Sequence, residues 1–120
     1  MQLSNGRYPV EEFLSELDLK AHKKVLRILE LFQKDPIAFI HHSEIVKKIK
    51  GHEKFKLYEI RILFNKTKYR ILWSFQGSKC YLVHAFIKKS QKTPLTDINT
   101  AITRIQIYIL TPEHYESRGI

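Results

Sequence analysis

Between Leu57 and Lys88 three stretches place an apolar residue at every second position, separated by two short polar links. A period of two belongs to a strand and not to a helix. It predicts three strands, about Leu57–Phe64, Tyr69–Gln76 and Cys80–Lys88. The links Asn65-Lys66-Thr67-Lys68 and Gln76-Gly77-Ser78-Lys79 are too short for a crossover, so the strands must form an antiparallel meander. On the first strand Tyr58, Ile60, Ile62 and Phe64 share a face, and Glu59 and Arg61 take the other. On the second, Tyr69, Ile71, Trp73 and Phe75 oppose Arg70, Leu72, Ser74 and Gln76. On the third, Tyr81, Val83, Ala85 and Ile87 oppose Cys80, Leu82, His84, Phe86 and Lys88. Both faces of that strand carry apolar residues, which predicts a central strand.

The flanks read as helical. Pro9 suits a first helical turn, and Glu11 and Glu12 suit the positive end of the dipole. Phe13, Leu14 and Leu17, then Val25, Leu29 and Phe32, fall at helical spacing up to about Lys34. A break at Leu17–Asp18, with Asp18 as a new N-cap, gives two helices in a hairpin or bent pair. Ile45, Val46 and Ile49 suggest a further short helix closed by Gly51. Thr93-Pro94 reads as an N-cap and first helical residue, opening a helix with the stripe Ile98, Ala101, Ile102, Ile105 and Ile109. The expected fold is α+β: an N-terminal helical pair, an antiparallel sheet of three to four strands and a C-terminal helix, with helices on one sheet face.

Length bounds the organisation. The 120 residues predict one domain over 1–120, with a core of about 8–110 and a loose tail over 111–120. Cys80 is the one cysteine, so no internal disulfide forms. No apolar run reaches the roughly 18 residues of a membrane span, and no membrane partner is expected. Met1–Gly6 lacks the apolar segment of a signal peptide, which predicts a cytoplasmic location.

Charge separates the function classes. The chain carries 21 Lys and Arg against 12 Asp and Glu, a net of +9. From Lys47 to Lys92 there are 13 basic residues and two acids, Glu53 and Glu59. All the excess therefore lies in that segment, the footprint of a polyanion partner, above all nucleic acid. The adjacent pair His41-His42 lacks a Cys or acidic residue at ligand spacing, so no metal site is expected. Four scattered glycines make no phosphate loop.

What remains is cationic chemistry on a sheet. Arg61 and Arg70 leave neighbouring strands on the face away from the apolar rows. Lys88-Lys89-Ser90-Gln91-Lys92-Thr93 leads into a helix start, where ammonium groups and amide donors suit a phosphate. Cleavage of RNA by its own 2′-OH needs the developing phosphate charge to be stabilised and a proton to be moved. His84, Tyr81 and Tyr69 are candidates for the proton. The plainer uses of the same residues are an Arg61 ion pair with Glu59, a satisfied half-buried His84 and a solvated lysine loop.

Three stretches resemble a known family: Leu57-Tyr58-Glu59-Ile60-Arg61, Tyr69-Arg70-Ile71-Leu72-Trp73, and His84-Ala85-Phe86-Ile87-Lys88-Lys89-Ser90-Gln91-Lys92-Thr93-Pro94. They look like the phage-derived branch of the RelE/HigB-like toxins, over about Val10 to Ile109. The resemblance implies a RelE-like fold and a ribonuclease toxin of a type II toxin–antitoxin pair. Such toxins cut mRNA, often in the ribosomal A site, without metal or organic cofactor. Their partner is an antitoxin, commonly one with a helix-turn-helix domain. Carried over by motif, the site positions are Arg61, Arg70, Lys88, Lys89, Gln91 and Lys92; of these Arg61, Arg70, Lys89 and Lys92 are expected to be catalytic, together with His84 as the one histidine inside the sheet. Lys88, Gln91, Lys47, Lys48, Lys54, Lys56 and Lys68 are expected to bind RNA. Tyr108, His114 and Tyr115 stand near the position of a family proton-transfer residue, and no motif selects among them. The alternative is a non-catalytic RNA-binding α+β module, since double-stranded-RNA-binding domains share a similar element order.

Overall fold

The computed structural model describes residues 3, 6–41, 44–89 and 92–110. The N-terminal helices are α1 (Pro9–Ser15), α2 (Leu19–Lys34) and α3 (Pro36–Ile40). Asp18 caps α2 by accepting from the Ala21 amide at 3.0 Å, and Asp35 caps α3 by accepting from Ala38 at 3.1 Å. The inner face of α2 is Ala21, Val25, Leu29 and Phe32, all buried. The sheet follows as β1 (Val46–Lys48), β2 (Leu57–Phe64), β3 (Thr67–Gln76) and β4 (Lys79–Lys88), antiparallel in the order β1-β2-β3-β4. A 3₁₀ turn over Glu53–Phe55 leads into β2. The chain then forms α4 (Leu95–Arg104), which widens into a π-helical stretch over Ile105–Leu110.

Two apolar clusters sandwich the sheet. Val10, Leu14, Val25, Leu29 and Phe32 pack on Ile60, Ile62, Tyr69, Ile71 and Trp73. Trp73 is fully buried, stacked on Tyr58 and edge-on to Phe32, each with ring centroids 4.7 Å apart. On the opposite face Ile98, Ala101 and Ile105 pack on Leu57, Leu72, Val83 and Phe86. Helices therefore cover both faces, not the single face expected.

Further expectations are corrected here. Val46 belongs to a strand, not a helix. It lies opposite Ile60 on the α2 side, while Ile49 packs on the α4 side. A helix would have put two residues three apart on one face. The third strand of the meander, β4, is an edge strand rather than a central one. Its two apolar faces arise because α1 and α4 pack on either side of it. A register shift at Leu72/Trp73 also breaks its parity, so Cys80, Leu82 and Ala85 join the α2-side cluster while Tyr81, Val83 and Phe86 join the other. The first link is a two-residue turn, Asn65-Lys66, with φ of 53° and 67°. Thr67 and Lys68 therefore belong to β3. Pro94, not Thr93, occupies the N-cap of α4. The Thr93 hydroxyl is used elsewhere. The predicted tail over 111–120 lies outside the described residues.

Candidate functional site

On the α4 side of the sheet, register builds three cross-strand rows. Lys47, Glu59, Leu72 and His84 form the first, Arg61, Arg70 and Phe86 the second, and Leu63, Lys68 and Lys88 the third. Two of these rows oppose like charges directly: Arg61 faces Arg70, and Lys68 faces Lys88. Such pairs destabilise a sheet. Glu59 is the one carboxylate of the three rows.

Glu59 is 1% exposed and Arg70 5%. Glu59 Oε1 lies 3.7 Å from Arg70 Nε, a charge contact without a hydrogen bond. Arg70 Nη1 donates to the Tyr69 carbonyl at 3.1 Å. The second Glu59 oxygen, Oε2, accepts from Thr93 Oγ1 at 2.5 Å. Burial pushes the Lys88 ammonium below the ordinary lysine value. Glu59 pulls it back up, and Arg70, Arg61 and Lys47 press it further down. Burial also lowers Arg70, with Glu59 opposing and Arg61 adding to the shift.

Beside these rows opens a groove of about 440 Å³. Lys47, Lys48, Lys50, Lys88 and Lys92 line it with Glu59, Thr93 and Ile98. It lies between the β1 edge, the end of β4 and the start of α4. Cations on three separate elements line it, an electrostatic environment that suits a phosphodiester.

A model of the family described as phage derived protein Gp49-like (DUF891) matches residues 12–106. The chain belongs to this family. The family is associated with toxins of toxin–antitoxin pairs, which makes the chain toxin-like and suggests an antitoxin as its partner. No curated protein and no solved structure matches the chain. The matched span of the Gp49-like family includes every cation of the rows and groove just described.

The remaining predicted site residues fall in different places. Lys89 is exposed just past β4, and Lys92 is exposed in the loop before α4. Gln91 lies outside the described residues, as do His42, His114 and Tyr115. Lys54 and Lys56 are not gathered with the arginines. Lys54 sits at the Leu57 end of the sheet, its ammonium 4.9 Å from the centroid of the Phe55 ring, beside a shallow groove with Gln106 and Leu110. Lys56 closes the 3₁₀ turn in a left-handed conformation, φ 49°.

His84 is drawn under α4. Its Nε2 bonds Asp97 Oδ1 at 2.7 Å, and its Nδ1 lies 3.4 Å from Arg104 Nη1, which donates to the Val83 carbonyl at 2.8 Å. Its ring stacks on Phe86. Both nitrogens are thus engaged. Tyr69 is buried on the α2 side, away from the cations, and Tyr81 packs into the α4-side cluster. Tyr108 lies half-buried in the π-helical stretch.

The sequence pattern marks Glu59 only as an ion-pair partner of Arg61, and Thr93 only as a helix cap at the end of the lysine segment. The available signal was that Glu59 is one of two acids among 13 basic residues between Lys47 and Lys92. Among the described residues no group of three His, Cys, Asp or Glu side chains is placed to hold a metal. Among the same residues no helix is long and apolar enough to cross a membrane.

Proposed function

We propose that this Gp49-like protein is the toxin of a type II toxin–antitoxin pair, acting in the cytoplasm as an mRNA endoribonuclease on the ribosome. The observation that carries the reading is the pair of like-charge rows, Arg61 facing Arg70 and Lys68 facing Lys88, beside a groove lined by further lysines. A protein that accepts such repulsion within its own sheet gains most when a polyanion occupies the face. A cognate antitoxin, of the helix-turn-helix kind, restrains the toxin.

In this reading the RNA backbone lies across the rows. The 2′-OH attacks the adjacent phosphorus and the P–O5′ bond breaks. The products are a 2′,3′-cyclic phosphate and a 5′-hydroxyl. The guanidinium of Arg61, with Arg70 behind it, stabilises the extra negative charge of the five-coordinate phosphorus. Lys88, Lys89 and Lys92 hold the flanking backbone, together with Lys47, Lys48 and Lys68. Among the candidates for proton transfer, His84 fits least, because Asp97 and Arg104 already occupy its nitrogens.

The test uses purified protein, free RNA in EDTA and, separately, a defined mRNA on translating ribosomes in magnesium. Mapped cuts in the ribosomal sample that vanish with Arg61→Ala support the reading. Cuts in free RNA as well would make the ribosome dispensable. Tight duplex binding without cuts in either sample would favour the non-catalytic binding module.

A further inference from the structure

Glu59 and Thr93 are joined across the molecule. Glu59 lies within β2, an inner strand of the sheet. Thr93 belongs to the segment between β4 and α4 that carries Lys89 and Lys92. Their side chains are 34 positions apart in sequence and meet in the Thr93 Oγ1 to Glu59 Oε2 bond. Thr93 makes no cap for α4, so its hydroxyl is not fixed by helix initiation. A carboxylate this buried costs free energy unless its oxygens are satisfied. Here one oxygen faces Arg70 and the other takes the Thr93 hydroxyl. Thr93, Lys88, Lys92 and Glu59 line the same groove.

We propose that Glu59 and Thr93 form a tether that positions the lysine segment: the bond holds the chain that leaves β4 at Lys88 against the sheet, so that Lys92 stands beside Lys88 over the groove where an RNA phosphate binds. The proposal rests on the reading of this face as the RNA site. Glu59 and Thr93 are positioning residues. Their part is to hold the lysines in place. Glu59 also carries the tether's electrostatics, since the same carboxylate faces Arg70 and draws on the Lys88 charge. One side chain thus links the arginine row to the lysine segment.

The experiment measures binding of a fluorescent all-2′-deoxy single strand, which has no attacking hydroxyl, as a function of salt. Cleavage of the matching RNA is followed in parallel. Thr93→Val, nearly isosteric and lacking the hydroxyl, is expected to weaken binding of the deoxy strand about tenfold. It is also expected to flatten the log–log salt slope by about one to two, the share of two lysine–phosphate contacts. For RNA, KM should rise by a similar factor with kcat within about twofold. Thr93→Ser keeps the hydroxyl and should restore wild-type behaviour. In a Lys88→Met/Lys92→Met background, Thr93→Val should have no further effect on binding.

Wild-type affinity and slope in Thr93→Val would overturn the tether, as would a full Thr93→Val effect in the background without the two lysines. If Thr93→Val does not fold, the comparison of Thr93→Ser with Thr93→Ala in both backgrounds decides by the same criteria. Failure of the RNase reading is separate: the wild type would then bind the deoxy strand with the expected Thr93 dependence and leave RNA uncut.

Discussion

The two faces of the same four strands are used in opposite ways. The α2 face is closed and apolar: Ile60, Ile62, Ile71 and Trp73 are all nearly or fully buried under α1 and α2. The α4 face has its buried apolar cluster where α4 covers it, over Leu57, Leu72 and Val83. Beyond the start of α4 it turns to arginine and lysine. Neighbours in sequence are thereby assigned to different tasks. Ile60 and Arg61 are adjacent, as are Arg70 and Ile71, and each pair sends one residue to the core and one to the charged face. A single alternating pattern supplies both an apolar surface that packs and a surface on which like charges face each other.

The sharpest way to break this contrast is to remove a large side chain from each face. Trp73→Ala empties the centre of the aromatic cluster and should cost about 3–5 kcal/mol by urea denaturation, much of the 5–15 kcal/mol typical of a small domain. Arg61→Ala should do the reverse: cleavage falls about 10²–10³-fold, while the melting temperature moves by less than about 2 °C. If Arg61→Ala unfolds the protein, the faces are not divided as described.

His84 tests whether the boundary between the faces is structural. Losing its bonds under α4 through His84→Ala should cost about 1–2 kcal/mol and leave cleavage within about threefold. A loss of cleavage at unchanged stability would return His84 to the catalytic set.

Lys88 tests the repulsion itself. Lys88→Met removes one member of the Lys68–Lys88 pair and should raise the melting temperature by about 1–3 °C, a small effect because the site is partly solvated, while RNA binding weakens. The pH dependence has a defined sign. The folded-state value of Lys88 is lowered, so the unfolded chain holds that proton more tightly. Wild-type stability therefore gains relative to Lys88→Met as pH rises from the folded-state value to the ordinary lysine value. The gap between the two melting curves should narrow over that alkaline window. The smallest effect belongs to Lys54 and Lys56. Replacing both by Ala should change cleavage by less than about twofold, since they lie at the far end of the sheet.

The strands and the two long helices were legible because each obeys one period over many residues. Asp18 was readable as a cap because it stands directly before the α2 stripe. β1 was not, because three residues carry no period, and Val46 and Ile49 reveal their opposite faces only once β2 lies alongside. The edge position of β4 was hidden for a related reason: helices packed on both sides give an edge strand the composition of a central one. Arg61 and Arg70 were legible as residues of one face on neighbouring strands; their direct pairing was not, because it depends on the two-residue turn Asn65-Lys66 in place of the four-residue link expected. The burial of Glu59 and its bond to Thr93 join residues far apart in the chain, and no local pattern encodes such a meeting.

The most direct test of the account is the chemistry of the cut ends. Wild-type protein, Arg61→Ala and Lys54→Ala/Lys56→Ala would be compared on the same ribosome-bound mRNA, with the product termini analysed. The account predicts 2′,3′-cyclic phosphate and 5′-hydroxyl ends from the wild type and the lysine variant, and none from Arg61→Ala. Cleavage that survives Arg61→Ala, or disappears only when Lys54 and Lys56 are removed, would contradict it.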